Sequence, residues 1–144
     1  MRALAPFVIF ATPAAAWEAS IQGPVCVLSH EEESAQVVLT HDPSRALPYV
    51  IEVTRTDTRW TPAEIFAIRF EGPGRLTIST NRHELTENGT SLSVADTGFG
   101  NVLNGLEFNH VASAVLGDQV VIIPLAGAAP EVARFRDCAS RVGT

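Results

Sequence analysis

The sequence predicts a mainly β fold: a compact antiparallel β-sandwich or curved sheet with one short central helix and a C-terminal helix. Short runs of alternating apolar and polar residues follow one another through the middle of the chain. Turn residues separate these runs and leave little room for the crossover helices that parallel strands need. Two cysteines, Cys26 and Cys138, lie near opposite ends of the chain, where a disulfide can join the N-terminal strand to the C-terminal helix.

Residues 1–16 have the pattern of an export signal. A short positive start precedes an apolar run at residues 3–11 and small residues at 14–16, which suit a signal peptidase. The run is shorter than the roughly 20 residues that cross a bilayer, and no cysteine lies at the cut to carry a lipid. We therefore expect residues 17–144 to form a single β-rich domain, periplasmic or secreted, without a membrane anchor.

The strands are predicted from their alternation. A first run surrounds Cys26, and in the run at 49–55 the side chains of Tyr49, Ile51 and Val53 share one face. Asn88-Gly89 indicates a type I′ hairpin turn, which needs positive φ at both residues, and Gly117-Asp118 indicates a second tight turn. The other strands, which bring the total to about seven to nine, are expected at 35–41, 65–71, 76–80, 91–95, 111–116 and 119–125.

Two segments change to a helical period. Between residues 99 and 108 three apolar side chains share a face, and Asn101 is available as the N-cap. Near the C-terminus Pro130 suits a first helical turn, and Phe135 and Cys138 then recur on one face. In an exported protein two cysteines usually pair, and no CxxC motif is present, so a structural disulfide between Cys26 and Cys138 is expected.

Composition excludes several classes of function. The formal net charge is −6, so the chain lacks the basic surface that nucleic acid or an anionic membrane requires. All ten basic residues are arginine, which excludes Schiff-base chemistry, attachment of pyridoxal phosphate and the lysine of a Walker A loop. No nucleic-acid partner and no cofactor is therefore predicted.

Two polar segments are candidates for ligand binding. Within residues 80–84, Arg82 could bind a carboxylate or phosphate, and His83 could transfer protons near neutral pH. Within residues 97–101, two glycines before Asn101 could bring backbone N–H groups to an anion. Structural roles are the favoured interpretation of both segments: an edge strand or turn for the first, and for the second a strand-to-helix turn that seats Phe99 in the core.

Metal binding and catalysis have weaker signals. His30 precedes three glutamates, but adjacent strand residues point to opposite faces, so we interpret the tract as a solvated acidic turn ending in Ser34. No HExxH, HxH or GxSxG motif is present, and no metal site or catalytic residue is predicted. Trp60 lies between two strands and is expected to be buried, the alternative being an exposed indole that stacks on a ligand.

Five segments carry a resemblance to other proteins: WEAS at 17–20, GPVC at 23–26, TISTNRH at 77–83, GFGNVL at 98–103 and FRDC at 135–138. Their order resembles a group of small uncharacterised bacterial envelope proteins, some of which carry the name of a component of the ABC excinuclease. The chain is also similar to the invasion-associated locus B family in its size, its export and its cysteine-bearing ends. Neither resemblance implies a catalytic residue, and a repair ATPase would need the phosphate-loop lysine that this chain lacks.

These observations predict a non-enzymatic periplasmic or secreted domain that binds an envelope protein or a small ligand, or has a structural envelope role. The candidate ligand-binding residues are Arg82, His83 and Asn101. The alternative is a small envelope hydrolase or metal-dependent enzyme that uses His83 or His30 with nearby carboxylates. A third hypothesis, an inhibitor or immunity-type protein, predicts a flat apolar patch in place of a pocket. The residues leave the oligomeric state undetermined.

Overall fold

The computed structural model describes residues 16–142, so nearly all of the predicted export signal lies outside the described residues. Within this range the chain forms ten strands and two helices. In chain order they are β1 (Glu18–Gln22), β2 (Val25–Glu31), β3 (Ala35–His41), β4 (Tyr49–Arg55), β5 (Phe66–Glu71), β6 (Leu76–Thr80), β7 (Glu84–Leu85), β8 (Ser91–Asp96), α1 (Gly100–Glu107), β9 (Val111–Leu116), β10 (Gln119–Pro124) and α2 (Ala128–Val142).

The strands form two antiparallel sheets, which confirms the predicted mainly β, antiparallel class. The larger sheet has the order β1-β2-β3-β4-β8-β7, and the smaller has the order β10-β9-β5-β6. Strand β4 pairs with β8 rather than with β5, because the chain leaves the larger sheet at residue 55 and returns to it at β7. The described residues contain more strands than the predicted seven to nine, since the sequence pattern does not reveal β1 and β7.

Buried side chains from both sheets and both helices belong to one apolar core. Ile51 and Val53 share one face of β4, as predicted, and that face lies in the core, where Ile51 is opposite Leu39 on one side and Val94 on the other. Trp60 is buried, which confirms its expected structural role, and its Nε1 donates a hydrogen bond of 3.1 Å to the Val53 carbonyl.

Helix α1 lies in the segment where the sequence predicts a helix, but its N-cap differs from the predicted one. Val102, Leu103 and Leu106 are buried on one face, as predicted. Asn101, however, is the second residue of the helix, and the N-cap is Phe99, whose side chain makes no capping hydrogen bond. Packing decides the start of this helix: Phe99 is buried, so the chain turns where the phenyl ring enters the core.

Helix α2 is joined to β2 by the predicted disulfide between Cys26 and Cys138, whose Cα atoms are 6.0 Å apart. Two hydrogen bonds supplement the covalent link between the ends of the described chain. Glu131 accepts one of 3.0 Å from the Ala19 N–H, and the Trp17 indole donates one of 3.1 Å to the Pro124 carbonyl. Disulfides of this kind are typical of proteins outside the reducing cytosol. Neither helix in residues 16–142 has the length and apolar character needed to span a membrane.

The two predicted turns have different outcomes. Gly117, with a φ of 62°, forms the expected tight turn between β9 and β10. At Asn88-Gly89 only the glycine has a positive φ, 73°, so the turn is not type I′. The Asn88 side chain shapes this loop instead, since its Oδ1 accepts hydrogen bonds from the Thr86 hydroxyl and from the N–H and hydroxyl of Thr90.

Candidate functional site

A pocket of about 440 Å³ opens where strands of both sheets meet the start of α1. We call it the Arg82 pocket, after a residue at its polar side. Its apolar lining comes from four strands and from the first residues of the helix, and it consists of Ile51, Phe66, Ile68, Ile78, Val94, Phe99 and Val102. Its polar and glycine lining consists of Ser79, Thr80, Arg82, Asp96, Gly98, Gly100 and Asn101.

The apolar wall follows from the period of two in the strands. In β5 the buried side chains are Phe66, Ile68 and Phe70, and the first two of these line the pocket. Ile78 is directly opposite Ile68 in the neighbouring strand β6, so the two side chains share one face of the smaller sheet. Branched and aromatic side chains therefore form the apolar wall of the pocket, although Phe66 and Ile68 are themselves almost fully buried.

Arg82 and Asp96 form the charged part of the pocket. The Arg82 Nη2 lies 3.9 Å from the Asp96 Oδ2, and the two side chains are 74% and 41% exposed. The Thr97 N–H donates to the Asp96 Oδ1 at 2.6 Å and positions that carboxylate, whereas the Arg82 main-chain N–H donates to the Thr80 hydroxyl at 3.0 Å. The guanidinium and the carboxylate are thus positioned side by side but are loosely paired.

The segment from Thr97 to Asn101 supplies the remaining polar side of the pocket. Phe99 is buried, as predicted, and its ring centroid lies 5.6 Å from that of Tyr49. This anchor leaves Gly98 and Gly100 exposed at the pocket, with open space where a Cβ would be. Asn101 is also exposed and adds an amide to the lining.

The predicted ligand-binding residues do not all meet in this pocket. Arg82 and Asn101 line it, whereas His83 does not. The His83 Nε2 lies 2.9 Å from the Ala63 carbonyl oxygen, and its ring stacks at a tilt on Phe66 with a centroid distance of 6.2 Å. Glu84 begins β7, is exposed and is opposite Ser93, and it does not line the Arg82 pocket either.

His30 occupies a different environment from the solvated turn that the sequence suggested. It lies in β2, is 3% exposed and stacks on Trp17 with a centroid distance of 4.6 Å and an interplanar angle of 7°. Its Nε2 contacts the Glu32 carboxylate. The prediction was wrong because the strand continues through His30, whose side chain points to the core. Among residues 16–142 no group of three or more histidine, cysteine, aspartate or glutamate side chains is arranged to hold a metal ion.

Asp96 is the functional candidate that sequence reasoning missed. The alternation of β8 could have revealed it, because Leu92, Val94 and Asp96 point to the same face of the strand. A carboxylate therefore follows two core-facing apolar residues. The predicted strand ends at Ala95, which leaves Asp96 in the following turn. Its proximity to Arg82 depends on how β6 and β8, which belong to different sheets, approach each other.

Comparisons with known proteins add no relative from which a function can be transferred. No protein-family model matches the chain, and no curated protein or solved structure matches it significantly. The Arg82 pocket and its charged pair are therefore the features on which an assignment of function depends.

Proposed function

We propose that this protein is a non-enzymatic, exported domain that binds a small amphipathic ligand in the Arg82 pocket. The single observation that supports this function is an open cavity in which an apolar wall from both sheets lies beside polar side chains that include Arg82, Asp96 and Asn101. Small-molecule sites typically have volumes of about 300–1,000 Å³, an apolar lining and a small number of placed polar groups. The volume of about 440 Å³ is within that range.

The lining supports a binding role over a catalytic one. Arg82, Asp96 and Asn101 supply charge and hydrogen bonds to a bound molecule. The two histidines that an enzyme would use lie elsewhere: His83 is directed to the Ala63 carbonyl, and His30 is buried against Trp17. The proposal therefore assigns the pocket to recognition, with Arg82 and Asn101 as predicted ligand-binding residues and Asp96 as an additional one.

The proposal includes a β-sandwich architecture and an envelope location. Packing of the two sheets face to face is supported by their shared core and by the pocket, which Ile51 and Val94 of one sheet line together with Ile68 of the other. A periplasmic or secreted location is supported by the disulfide and by the export pattern of residues 1–16.

Filling the pocket tests the proposed function. In the Ile78→Trp variant an indole would occupy the space beside Ile68, so we expect affinity for the amphipathic probe 1-anilinonaphthalene-8-sulfonate to fall about tenfold or more. The matched control is Ile122→Trp, which places the same indole on an exposed position of β10, where Ile122 is 55% exposed. Probe fluorescence titrations measure affinity and stoichiometry for both variants and for the original protein.

One saturable site in the original protein and in Ile122→Trp, with loss in Ile78→Trp, is the expected result. Equal affinity in all three proteins would mean that the probe binds elsewhere and would overturn the proposal. Because a bulky substitution can disturb folding, Val94→Phe provides a second, smaller filling from the opposite sheet. Circular dichroism of each variant reports whether the fold is retained.

A further inference from the structure

The position of Asp96 is unusual for a carboxylate. In the register of β4 and β8, Leu92 is opposite Val53, Val94 is opposite Ile51, and Asp96 is opposite Tyr49. The first two pairs are apolar and face the core, and Asp96 continues the same row at the end of the strand. The carboxylate is 41% exposed and lines the Arg82 pocket, so it adds a negative charge that a ligand can reach at the edge of the apolar wall.

Contacts within the described chain satisfy one oxygen of Asp96 well and the other poorly. Its Oδ1 accepts hydrogen bonds from the N–H and the hydroxyl of Thr97. Its Oδ2 faces Arg82 at 3.9 Å, which is too long for a hydrogen bond. Exposed ion pairs of this kind contribute little to stability, so a ligand could separate the two charges at small cost.

The charges of the pocket are balanced and adjacent. Among the described residues that line it, Arg82 and Asp96 are the charged ones, one of each sign. A ligand with only a carboxylate would approach Asp96 as well as Arg82, and a ligand with only an ammonium group would approach Arg82 as well as Asp96. A molecule that carries both groups close together complements both side chains.

Resting on the proposed function, we infer that the ligand is a zwitterionic α-amino acid with a large apolar side chain. Its carboxylate binds Arg82 and its ammonium group binds Asp96, which supplies the close partner that the Oδ2 lacks. Its side chain packs against the apolar wall, which Phe66 and Ile78 help to line. Both charged groups of an α-amino acid are attached to one carbon, which suits two protein charges that are held side by side.

Four related probes test this inference by isothermal titration calorimetry. L-phenylalanine carries both charges and the apolar group, N-acetyl-L-phenylalanine lacks the cation, L-phenylalanine amide lacks the anion, and glycine lacks the side chain. We expect L-phenylalanine to bind about tenfold or more tightly than each of the others, since each loses a charge-assisted contact or the apolar contact. The Ile78→Trp variant should lose this binding, which locates it in the pocket.

Two variants separate the contributions of the charges. Asp96→Asn should weaken L-phenylalanine about tenfold and leave N-acetyl-L-phenylalanine unchanged or slightly improved, because only the ammonium contact is lost. Arg82→Gln should weaken both ligands, because both carry the carboxylate. A merely structural role for the Arg82–Asp96 pair would instead change all four probes in parallel.

The outcomes distinguish the inference from the proposed function. The fluorescent probe 1-anilinonaphthalene-8-sulfonate could bind while L-phenylalanine binds no more tightly than its N-acetyl and amide derivatives. This result would overturn the inference of a zwitterionic ligand and would leave the proposed binding pocket in place. The same conclusion follows if none of the four probes binds while the fluorescent probe does. Failure of the fluorescent probe together with all four would overturn both. Selective binding of L-phenylalanine that both charge variants weaken would support the inference.

Discussion

At position 105 the absence of a side chain decides how closely α1 approaches β5. A Cβ built on Gly105 would lie 2.4 Å from both Cδ2 and Cε2 of Phe70, well inside van der Waals contact. Phe70 is fully buried and cannot rotate freely to make room. In the sequence this glycine counts against a helix, but in the fold it permits the helix to rest on an aromatic ring.

We predict that Gly105→Ala destabilises the protein despite the better helix propensity of alanine. Overpacking of a core costs about 1–3 kcal/mol, against a propensity gain of about 1 kcal/mol. The matched control is Gly100→Ala in the same helix, where no atom lies within 4 Å of the added Cβ. Urea unfolding should show a lower free energy of unfolding for Gly105→Ala alone. A variant as stable as the original protein would mean that Phe70 moves aside easily.

The exposure of a candidate site residue could be predicted where its neighbours in the chain determine it. Arg82 and Asn101 follow a strand end and a glycine turn, so their exposure could be expected from the chain itself. His83 could not be placed, because its Nε2 is next to a carbonyl 20 residues away. Asp96 was missed for the same reason, because its candidate role depends on its proximity to Arg82, which is 14 residues earlier in the chain.

Among the elements, most strands were predicted with close bounds, whereas the two edge strands of the larger sheet, β1 and β7, were missed. In β3 and β4 the side chains alternate between the core and the surface, and both strands have the predicted bounds. Strand β1 is mostly exposed and shows no alternation, and β7 has two residues, so neither leaves a periodic signal. These two strands form because their backbones pair with β2 and β8, and such pairing cannot be inferred from the pattern of side chains.

The apolar face of α2 should stabilise its attachment far more than its polar contacts do. Phe135 is buried, with its ring centroid 6.4 Å from that of Tyr49. The adjacent Arg136 joins the two helices by donating to Glu107 at 3.2 Å and to Asn104 at 2.7 Å. Because the arginine side chain is 36% exposed, solvent weakens its ion pair.

We therefore predict a large difference between two neighbouring alanine substitutions. Phe135→Ala should reduce the free energy of unfolding by about 3–5 kcal/mol, because it leaves a cavity in the core. Arg136→Ala should reduce it by about 1 kcal/mol or less. Urea unfolding of both variants with the disulfide intact provides the comparison. Similar losses would show that the polar contacts between α1 and α2 are as important as the buried face.

Across the whole molecule, local sequence does not determine how the strands are divided between two sheets. The chain completes β4, forms β5 and β6 in the other sheet, and then returns to pair β8 with β4. The β5–β9 pairing is equally distant in sequence, with Phe66 opposite Leu116. The predicted class and helices were confirmed because turns and helical period are local signals, and the disulfide was confirmed because two cysteines allow a single pairing. The topology depends on pairings that only the collapsed chain can select.

The disulfide closes most of the chain into one loop, so its largest effect should be on the unfolded state. Cys26 and Cys138 are 112 residues apart in sequence, and a loop of that size corresponds to about 4–5 kcal/mol in a chain-entropy model. We predict that reduction lowers the free energy of unfolding by up to about that amount. In the folded state Trp17 and Glu131 still hold the two ends of the described chain together, so the native contacts should persist.

Urea unfolding with and without a thiol reductant measures this effect, and Cys26→Ala/Cys138→Ala, treated identically, is the control. The reductant should shift the midpoint of the original protein to lower urea and leave that of the double variant unchanged. The reduced protein should retain the near-ultraviolet circular dichroism of the oxidised form in the absence of urea, since the loss acts on the unfolded chain. Equal midpoints with and without the reductant would contradict the prediction, as would loss of native structure on reduction alone.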